Sequence, residues 1–332
     1  MSDTRFTLSD LAKSEDPNGS QAQVIELMNQ YNPPIQDAPS FPSNDELGHQ
    51  VTYRRSLPAV GTAKINKGIT RSKSSTDQRR DVMGYFAGRS EVDRRIRRLK
   101  GDAAYFSKRA SEMRAMQEGL AQLGCNTLFY GDVAADESSY NGLSKRLSTL
   151  NPGTSRTTSQ VWSMGAVVGG DACSIFIVDW GQDAAHLIHP PTVVAGVDTE
   201  DLLNQPVDDN DGASFQADVF ECNWYHGLAV EDPRHTARLA NIDASDAKLD
   251  APTQGKLIDT LDEIFAYMPN PGPNQRVLYC PIPVWAAFNK QARNGTNVVL
   301  SIREYLGAPT PFVHEWPLRR VDQLSTTETV VA

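Results

Sequence analysis

Apolar and polar positions alternate with a period of two from Phe220 to Val230. Phe220, Cys222, Trp224, Leu228 and Val230 fall on one side with His226 between them, and Glu221, Asn223 and Tyr225 fall on the other. Alternation over this length predicts a strand buried on one face. Continued to Asp243, the pattern predicts two strands joined at Asp232-Pro233, a long aromatic β-ribbon. Such a ribbon carries no chemistry of its own and marks a protein that builds surfaces. Upstream the period changes. Val92, Ile96, Leu99, Ala103, Phe106, Ala110, Met113, Gln117 and Leu120 step by four and three in turn, which predicts one helical face. At 1.5 Å per residue about 30 residues make roughly 45 Å. Gly101-Asp102 predicts a kink or break, with Asp102 recapping the second segment, and Gly124 predicts the stop.

The remaining pattern is shorter in range. Phe6, Leu8 and Leu11, then Val24, Ile25, Leu27 and Met28, predict two short amphipathic helices, separated by Asp16-Pro-Asn-Gly19 and ended by Asn32-Pro-Pro34. Gln36 to Glu46 has no periodicity. Residues 1–48 therefore read as an arm without a core of its own, which must rest on something else. Residues 50–60 alternate as a strand up to Leu57-Pro58, residues 61–75 are polar and basic, and residues 76–90 are extended again. Leu128-Phe129 is read as the start of a strand and Ser138 to Gln160 as exposed loop. Ile175 to Val178 is a short apolar run of the kind found in central strands. Leu257, Leu261, Ile264, Phe265 and Met268 form a helical stripe ended by Pro269-Asn-Pro-Gly-Pro273. Val277 to Cys280 predicts a strand, Val284 to Ala292 a helix, Val298, Leu300 and Ile302 a strand, and Val313 to Val321 the closing edge of a sheet. The order of elements is mixed α+β, not regular βαβ.

Composition adds a modest core: 39% of the 332 residues are apolar, and 20 prolines and 23 glycines imply many turns. No apolar run is long enough to span a membrane, and the polar N-terminus with Asp3, Asp10, Glu15 and Asp16 does not read as a secretory signal. Cys125, Cys173, Cys222 and Cys280 are too far apart for a CxxC pair, and Cys173 and Cys222 read as small core residues. The charge is more informative. Residues 53–109 contain 16 Lys or Arg and five Asp or Glu, against a net charge of −9 for the whole chain. One reading is nucleic-acid binding through this stretch. The preferred reading is complementarity between copies, because excess acid elsewhere would repel a phosphate backbone. Asp198 to Asp211 holds six acids and no base, an expected exposed loop or hairpin tip that would suit the basic stretch.

Candidate chemistry is thin. His186 and His189 are spaced three apart, but the run before them is strand-like, which puts them on opposite faces, and no third ligand accompanies them. His226 and His235 flank Glu231 and Asp232, without a nearby nucleophile. Gly165-Ala-Val-Val-Gly-Gly170 lacks the Lys and Ser or Thr of a phosphate loop. No catalytic residue, cofactor or metal is expected.

Four stretches together resemble the tailed-bacteriophage major capsid proteins with the HK97-type fold. They are Val219 to Asp243; Asn126-Thr-Leu-Phe-Tyr-Gly-Asp132 with Tyr140-Asn-Gly-Leu143; Ser174-Ile-Phe-Ile-Val-Asp-Trp-Gly181 with His186-Leu-Ile-His-Pro190; and Pro317-Leu-Arg-Arg-Val-Asp322 with Thr327-Glu328. The resemblance implies an HK97-like α+β capsid fold. Residues 1–48 would be an N-terminal arm, 49–90 an E-loop hairpin, and 91–132 a spine helix and the start of the core sheet of a peripheral domain. Residues 133–218 would be mainly an axial domain, 219–250 the long β-ribbon of the peripheral domain, and 251–332 axial helices and strands with a closing strand. It implies self-assembly into hexamers and pentamers of an icosahedral shell, with portal, scaffolding and decoration proteins as partners. Double-stranded DNA would lie on the inner face without sequence specificity, and no membrane is involved. The protein would be found in the virion after assembly in the host cytoplasm. Arg54, Arg55, Lys64, Lys67, Arg71 and Lys73 in the hairpin, and Arg94, Arg95, Arg97 and Arg98 on the helix, are the expected intersubunit contacts. Cations are disfavoured at a helix N-terminus, so the four helix arginines require acidic partners, on this chain or another. Two alternatives stand beside this reading: an encapsulin-like compartment of the same fold, and a nucleic-acid-binding module using residues 53–109.

Overall fold

The computed structural model describes residue 30 and residues 32–155, 157–165, 170–208, 212–245, 251–294 and 300–332. The predicted helices at Phe6–Leu11 and Val24–Met28, and Val298 of the predicted strand, lie outside these. The chain forms two compact units, one of residues 1–32, 85–125 and 196–225 and one of residues 33–84, 126–195 and 226–332. No described helix is long and apolar enough to cross a membrane.

The larger unit is organised by strand β5 (Ala172–Trp180), all nine of whose residues are buried. It pairs antiparallel with β9 (Thr236–Asp243) on one side and β10 (Gln275–Cys280) on the other. Strand β13 (Trp316–Arg320) joins β10 in parallel, and β12 (Ala308–Val313) and β11 (Leu300–Tyr305) follow antiparallel. Strand β4 (Gln160–Ser163) runs parallel beside β9. Both faces of β5 are covered. Ile175 and Ile177 pack with Leu257, Leu261 and Ile264 of helix α5 (Ala251–Tyr267) and with Val284 and Phe288 of helix α6 (Ile282–Asn294). On the other face Phe176 meets Phe129, ring centroids 5.2 Å apart. Each such Leu or Ile contributes about 1.5–3 kcal/mol on burial, so this layer holds much of the unit's stability. Asp179, fully buried in this layer, is neutralised by Arg276 at 2.6 and 2.8 Å, and its carboxylate lies 2.6 Å from His235 Nδ1.

Two strands described as a ribbon from sequence part company. Strand β8 (Ser214–Val230) keeps the predicted alternation, with Phe220, Cys222, Trp224 and His226 buried and Glu221, Asn223 and Tyr225 half-buried. Past Asp232 a 3₁₀ turn (Pro233–His235), capped by the Asp232 carboxylate, redirects the chain, and β9 pairs with β5 and β4 instead of β8. The reason is burial: seven of the eight residues of β9 are buried, which a two-stranded ribbon with a wet face cannot provide.

The N-terminal segment also departs from the sequence reading from residue 33 onward. Pro33 and Pro34 open a short helix α1 (Pro33–Asp37), where their missing N–H groups cost nothing. Strand β1 (Ser40–Pro42) then adds in parallel to β6 (Ala185–His189). The Asp37 carboxylate takes Arg319 and the Tyr279 hydroxyl. Residues 33–48 thus rest on their own subunit.

In the smaller unit, β7 (Val197–Asp208) pairs antiparallel along β8, from Val197 opposite Trp224 to Asp208 opposite Ser214. The acidic segment, predicted as an exposed loop or hairpin tip, is as far as Asp208 one exposed arm of an antiparallel β7–β8 pair and an edge strand, the position where charge protects a sheet from illicit pairing. Helices α2 (Arg95–Lys100) and α3 (Asp102–Tyr130) are separated at Gly101, φ 83°. That break shifts the helical phase. The predicted face leaves Leu99 and Phe106 exposed, Phe106 at 50%, while the neighbouring Tyr105, Lys108 and Arg109 are buried; Val92, Ile96 and Leu120 of the predicted face are buried as expected. Tyr105 donates to Asp218 at 2.8 Å, and burial with this carboxylate pushes its phenol far up.

Helix α3 also outruns its predicted stop. It passes Gly124 and takes in Leu128 and Phe129, which the apolar run had suggested begin a strand. An interior glycine costs only about 1 kcal/mol, and Gly124 lies in the line of buried residues. The true stop is Gly131, whose N–H donates to the Thr127 carbonyl at 2.8 Å and where a Cβ would collide with the Tyr140 carbonyl. The following segment, read as exposed loop, instead buries Tyr140, Leu143 and Leu147 around the short helix α4 (Leu143–Arg146).

Candidate assembly site: the basic hairpin and its root

Strands β2 (Gly48–Ser56) and β3 (Ser75–Asp93) pair antiparallel from Gly48 opposite Val82 to Ser56 opposite Ser75, with an irregularity between Arg54 and Ser56. Beyond Ser56 the pairing stops. Residues 57–74 form a long loop held across by Ser72 Oγ donating to the Ala59 carbonyl at 2.7 Å. Asn66 takes φ 65° at the turn, a conformation asparagine tolerates. Every residue from Thr52 to Lys73 is exposed. Among them are Leu57, Val60, Ile65 and Ile69, with Val60 at 92% and Ile65 at 94%. Large apolar side chains this exposed, clustered in one loop, mark an interaction surface.

The six hairpin cations share this exposure. Arg54 and Arg55 end β2, and Lys64, Lys67, Arg71 and Lys73 lie in the loop. Among the described residues none of them makes an ion pair. The helix arginines stand differently. Arg94 reaches Asp218 at 3.5 Å and Asn204 at 2.5 Å, Arg95 pairs with Asp93 at 3.0 Å, and Arg97 grips Asp102 at 2.7 and 2.8 Å. Arg97 holds the Asp102 carboxyl below its usual range, and Asp102, in the first turn of α3, serves as its counter-ion. Arg98 is exposed, and the four arginines line one cleft with Phe215. Elsewhere in the basic stretch Arg80, Arg89, Lys108 and Arg109 pair with Asp45, Glu91, Glu112 and Asp201. The basic stretch thus holds two populations among the described residues: one neutralised by its own chain, and one, the six hairpin cations with Arg98, for which no ion pair is found.

The root of the hairpin is the opposite of its tip. Asp81, 4% exposed, accepts from Arg146 Nη1 at 2.9 Å and from the Val230 N–H at 3.1 Å, with Arg79 Nε at 3.2 Å. Arg146 also donates to the Leu228 and Asn141 carbonyls, both at 2.9 Å, and burial depresses its guanidinium. Arg79 donates to the Val230 carbonyl. Next to this network β3 and β8 approach closely: a Cβ on Gly227 would lie 2.8 Å from the Val82 carbonyl. No local pattern announces Asp81 and Arg146 as partners; only tertiary folding joins them.

The histidines considered for chemistry have structural settings. His186 is buried and His189 half-buried on β6, where His189 Nδ1 meets Ser40 Oγ at 2.9 Å. His235 belongs to the Asp179–Arg276 cluster. His226 packs edge to face on Tyr140 at 5.2 Å, and burial lowers its imidazolium to about 3. All four cysteines are free and buried, and burial pushes the Cys173 thiol up to about 12, which leaves it unreactive. His49, His186 and Glu231 form the one set of three metal-ligating side chains found among the described residues.

The model of one protein family, described as major capsid protein GP7, matches residues 16–332. Among solved structures, a chain of bacteriophage Epsilon15 is 24% identical with a TM-score of 0.70, over 100% of this chain and 99% of that one. The bacteriophage JBD30 capsid is 11% identical with a TM-score of 0.51, over 91% of this chain and 93% of that one. A search of the curated proteins returns no significant match.

Proposed function

The chain belongs to the major capsid protein GP7 family, and we propose that its basic hairpin is the element by which each copy grips the next. It has the HK97-like fold of phage capsids, and its role is structural: copies associate into the shell of the virion. In the reading proposed here, the subunits form hexamers and pentamers of an icosahedral head. Residues 49–90 act as the E-loop, residues 95–130 as the spine helix, and the segment before residue 33 as the arm.

One observation carries the role of the hairpin. A firmly anchored root presents four bare apolar side chains and, from the end of β2 to the loop, six cations without an ion pair among the described residues. An isolated subunit gains nothing from that arrangement, and a neighbour that covers the apolar residues and supplies carboxylates does. Asp198 and Glu200, exposed on the edge strand β7, offer an acidic surface of the right kind on the adjoining copy. Many modest contacts of this sort would sum to a stable interface, with charge setting the register. Arg94, Arg95 and Arg97 then act chiefly within the subunit, and Arg98 joins the hairpin cations as an intersubunit contact. Portal, scaffolding and decoration proteins are further proposed partners, with DNA held inside without sequence specificity and assembly in the host cytoplasm.

Lys64, Lys67 and Arg71 changed together to Glu test the hairpin. The expected outcome is a folded subunit by circular dichroism that forms no shells by negative-stain microscopy and sedimentation. Normal particles from this variant would sink the charge-register role. Assembly of the unaltered protein should also weaken with salt, since exposed charges are screened beyond about 8–10 Å at physiological ionic strength.

A further inference from the structure

Three ligating side chains from distant parts of the chain meet beside the hairpin root. His49 stands at the start of β2, His186 on β6 and Glu231 just past β8. One ligand atom of each lies within 4.8 Å of the other two. His49 Nε2 is 2.6 Å from Glu231 Oε1, and the His49 and His186 rings meet edge to face at 5.6 Å. Phe41 closes the other side of His186, with ring centroids 5.1 Å apart. His186 is 2% exposed, and its Nδ1 has no hydrogen-bond partner among the described residues. A buried polar atom left in this state costs about 1–3 kcal/mol, and such an orphan in a native structure calls for an explanation such as an ion.

We propose that His49, His186 and Glu231 bind one divalent ion of the zinc class, which staples the root of the hairpin to β6 and to the turn after β8. The donor set decides the class. Two imidazoles and a carboxylate make a three-ligand zinc shell with water in the fourth position, whereas calcium and magnesium take oxygen donors. Zinc bonds of about 2.0–2.1 Å in a tetrahedron place ligand atoms roughly 3.3 Å apart. The His49–Glu231 contact therefore opens and the widest separation closes, shifts that side-chain torsions supply. A metal on His49 Nε2 moves that ring's remaining proton to Nδ1, which now receives the Asn44 N–H at 3.4 Å. This long, weak contact is lost on binding. The site lies within one compact unit, so an isolated subunit contains all of it.

The test uses the untagged full-length protein, stripped with chelator, dialysed and titrated with Zn²⁺ by calorimetry, with Co²⁺ absorption as the report of a tetrahedral site. The expected result is one ion per chain and a thermal midpoint that rises with Zn²⁺. His186→Ala and Glu231→Ala should each weaken binding by about tenfold or more, while His189→Ala and His314→Ala leave it unchanged. Absence of Zn²⁺ uptake by the unaltered protein overturns the proposal. So does unchanged affinity in Glu231→Ala, whose half-buried side chain can be removed without opening the core. Equal loss in the His189 or His314 variants would assign the uptake to surface histidines and overturn it as well.

Discussion

At the tip of the β2–β3 hairpin Val60 and Ile65 stand more than nine-tenths in water beside six cations that have no ion pair among the described residues; at its root Asp81 is 4% exposed and held by Arg79, Arg146 and a backbone N–H. The same two strands join these ends. The root satisfies every charge within its own chain, and its cost of burial is met by neighbours already in place. The tip leaves its apolar area and charge for another molecule to satisfy. The root folds the subunit, and under the proposed function the tip is what joins one subunit to the next.

The largest effect on the subunit is expected from Asp81→Ala. It leaves the Arg146 and Arg79 guanidinium groups facing a buried gap, and breaking a buried pair in this way costs about 3–5 kcal/mol. Chemical denaturation of the unassembled protein measures it; a loss under about 1 kcal/mol would show the root to be looser than drawn. Acid is the next probe. The folded protein holds His226 neutral down to about 3, while the unfolded chain protonates near the ordinary histidine value of about 6.5. The native state therefore binds fewer protons in that window. Stability is full above about pH 6.5 and falls as pH drops, with a limiting slope of about 1.4 kcal/mol per unit from this residue. His226→Phe should flatten the dependence between pH 6 and 5; an unchanged slope would move its origin elsewhere. Arg80→Gln removes an ion pair with Asp45 whose partners are 53% and 47% exposed, and its expected cost is under about 1 kcal/mol. Smallest of all is the effect of the tip reversal on the subunit itself. Changing Lys64, Lys67 and Arg71 should move the unfolding free energy by less than about 0.5 kcal/mol while abolishing shells, and a large loss of stability would erase the distinction between tip and root.

Much of the fold was legible because its signals are local. The alternation of Phe220, Cys222 and Trp224, the apolar run at Ile175–Val178, the stripe from Leu257 to Met268 and the break at Gly101 each report the surroundings of a single element. The likeness to phage capsid proteins was legible in the first two of these and in the stretches around Asn126, Tyr140, His186 and Pro317. Failures occurred where a residue's fate depended on something far away. At the start of α3 the predicted face was misphased, with Phe106 exposed and Tyr105 buried, because the count ran through Gly101, where the chain restarts its helix, while Leu120 further along is buried as expected. Leu128 and Phe129 remained helical because Phe176 of β5 and the Gly131 stop received them there. Residues 33–48 were read as needing a neighbour because Asp37 gives no sign that Arg319 and Tyr279 will take it.

For this protein the sequence alone determined the more periodic strands and helices, the concentration of positive charge in residues 53–109 and the class of structure, because periodicity and composition act over a few residues at a time. The tertiary structure alone decided which of those charges are neutralised at home and which are left outside. It separated β8 from β9, closed Asp81 on Arg146 and brought His49, His186 and Glu231 together. Such pairings depend on distance in space and on burial, and neither quantity is written in the spacing of residues along a chain.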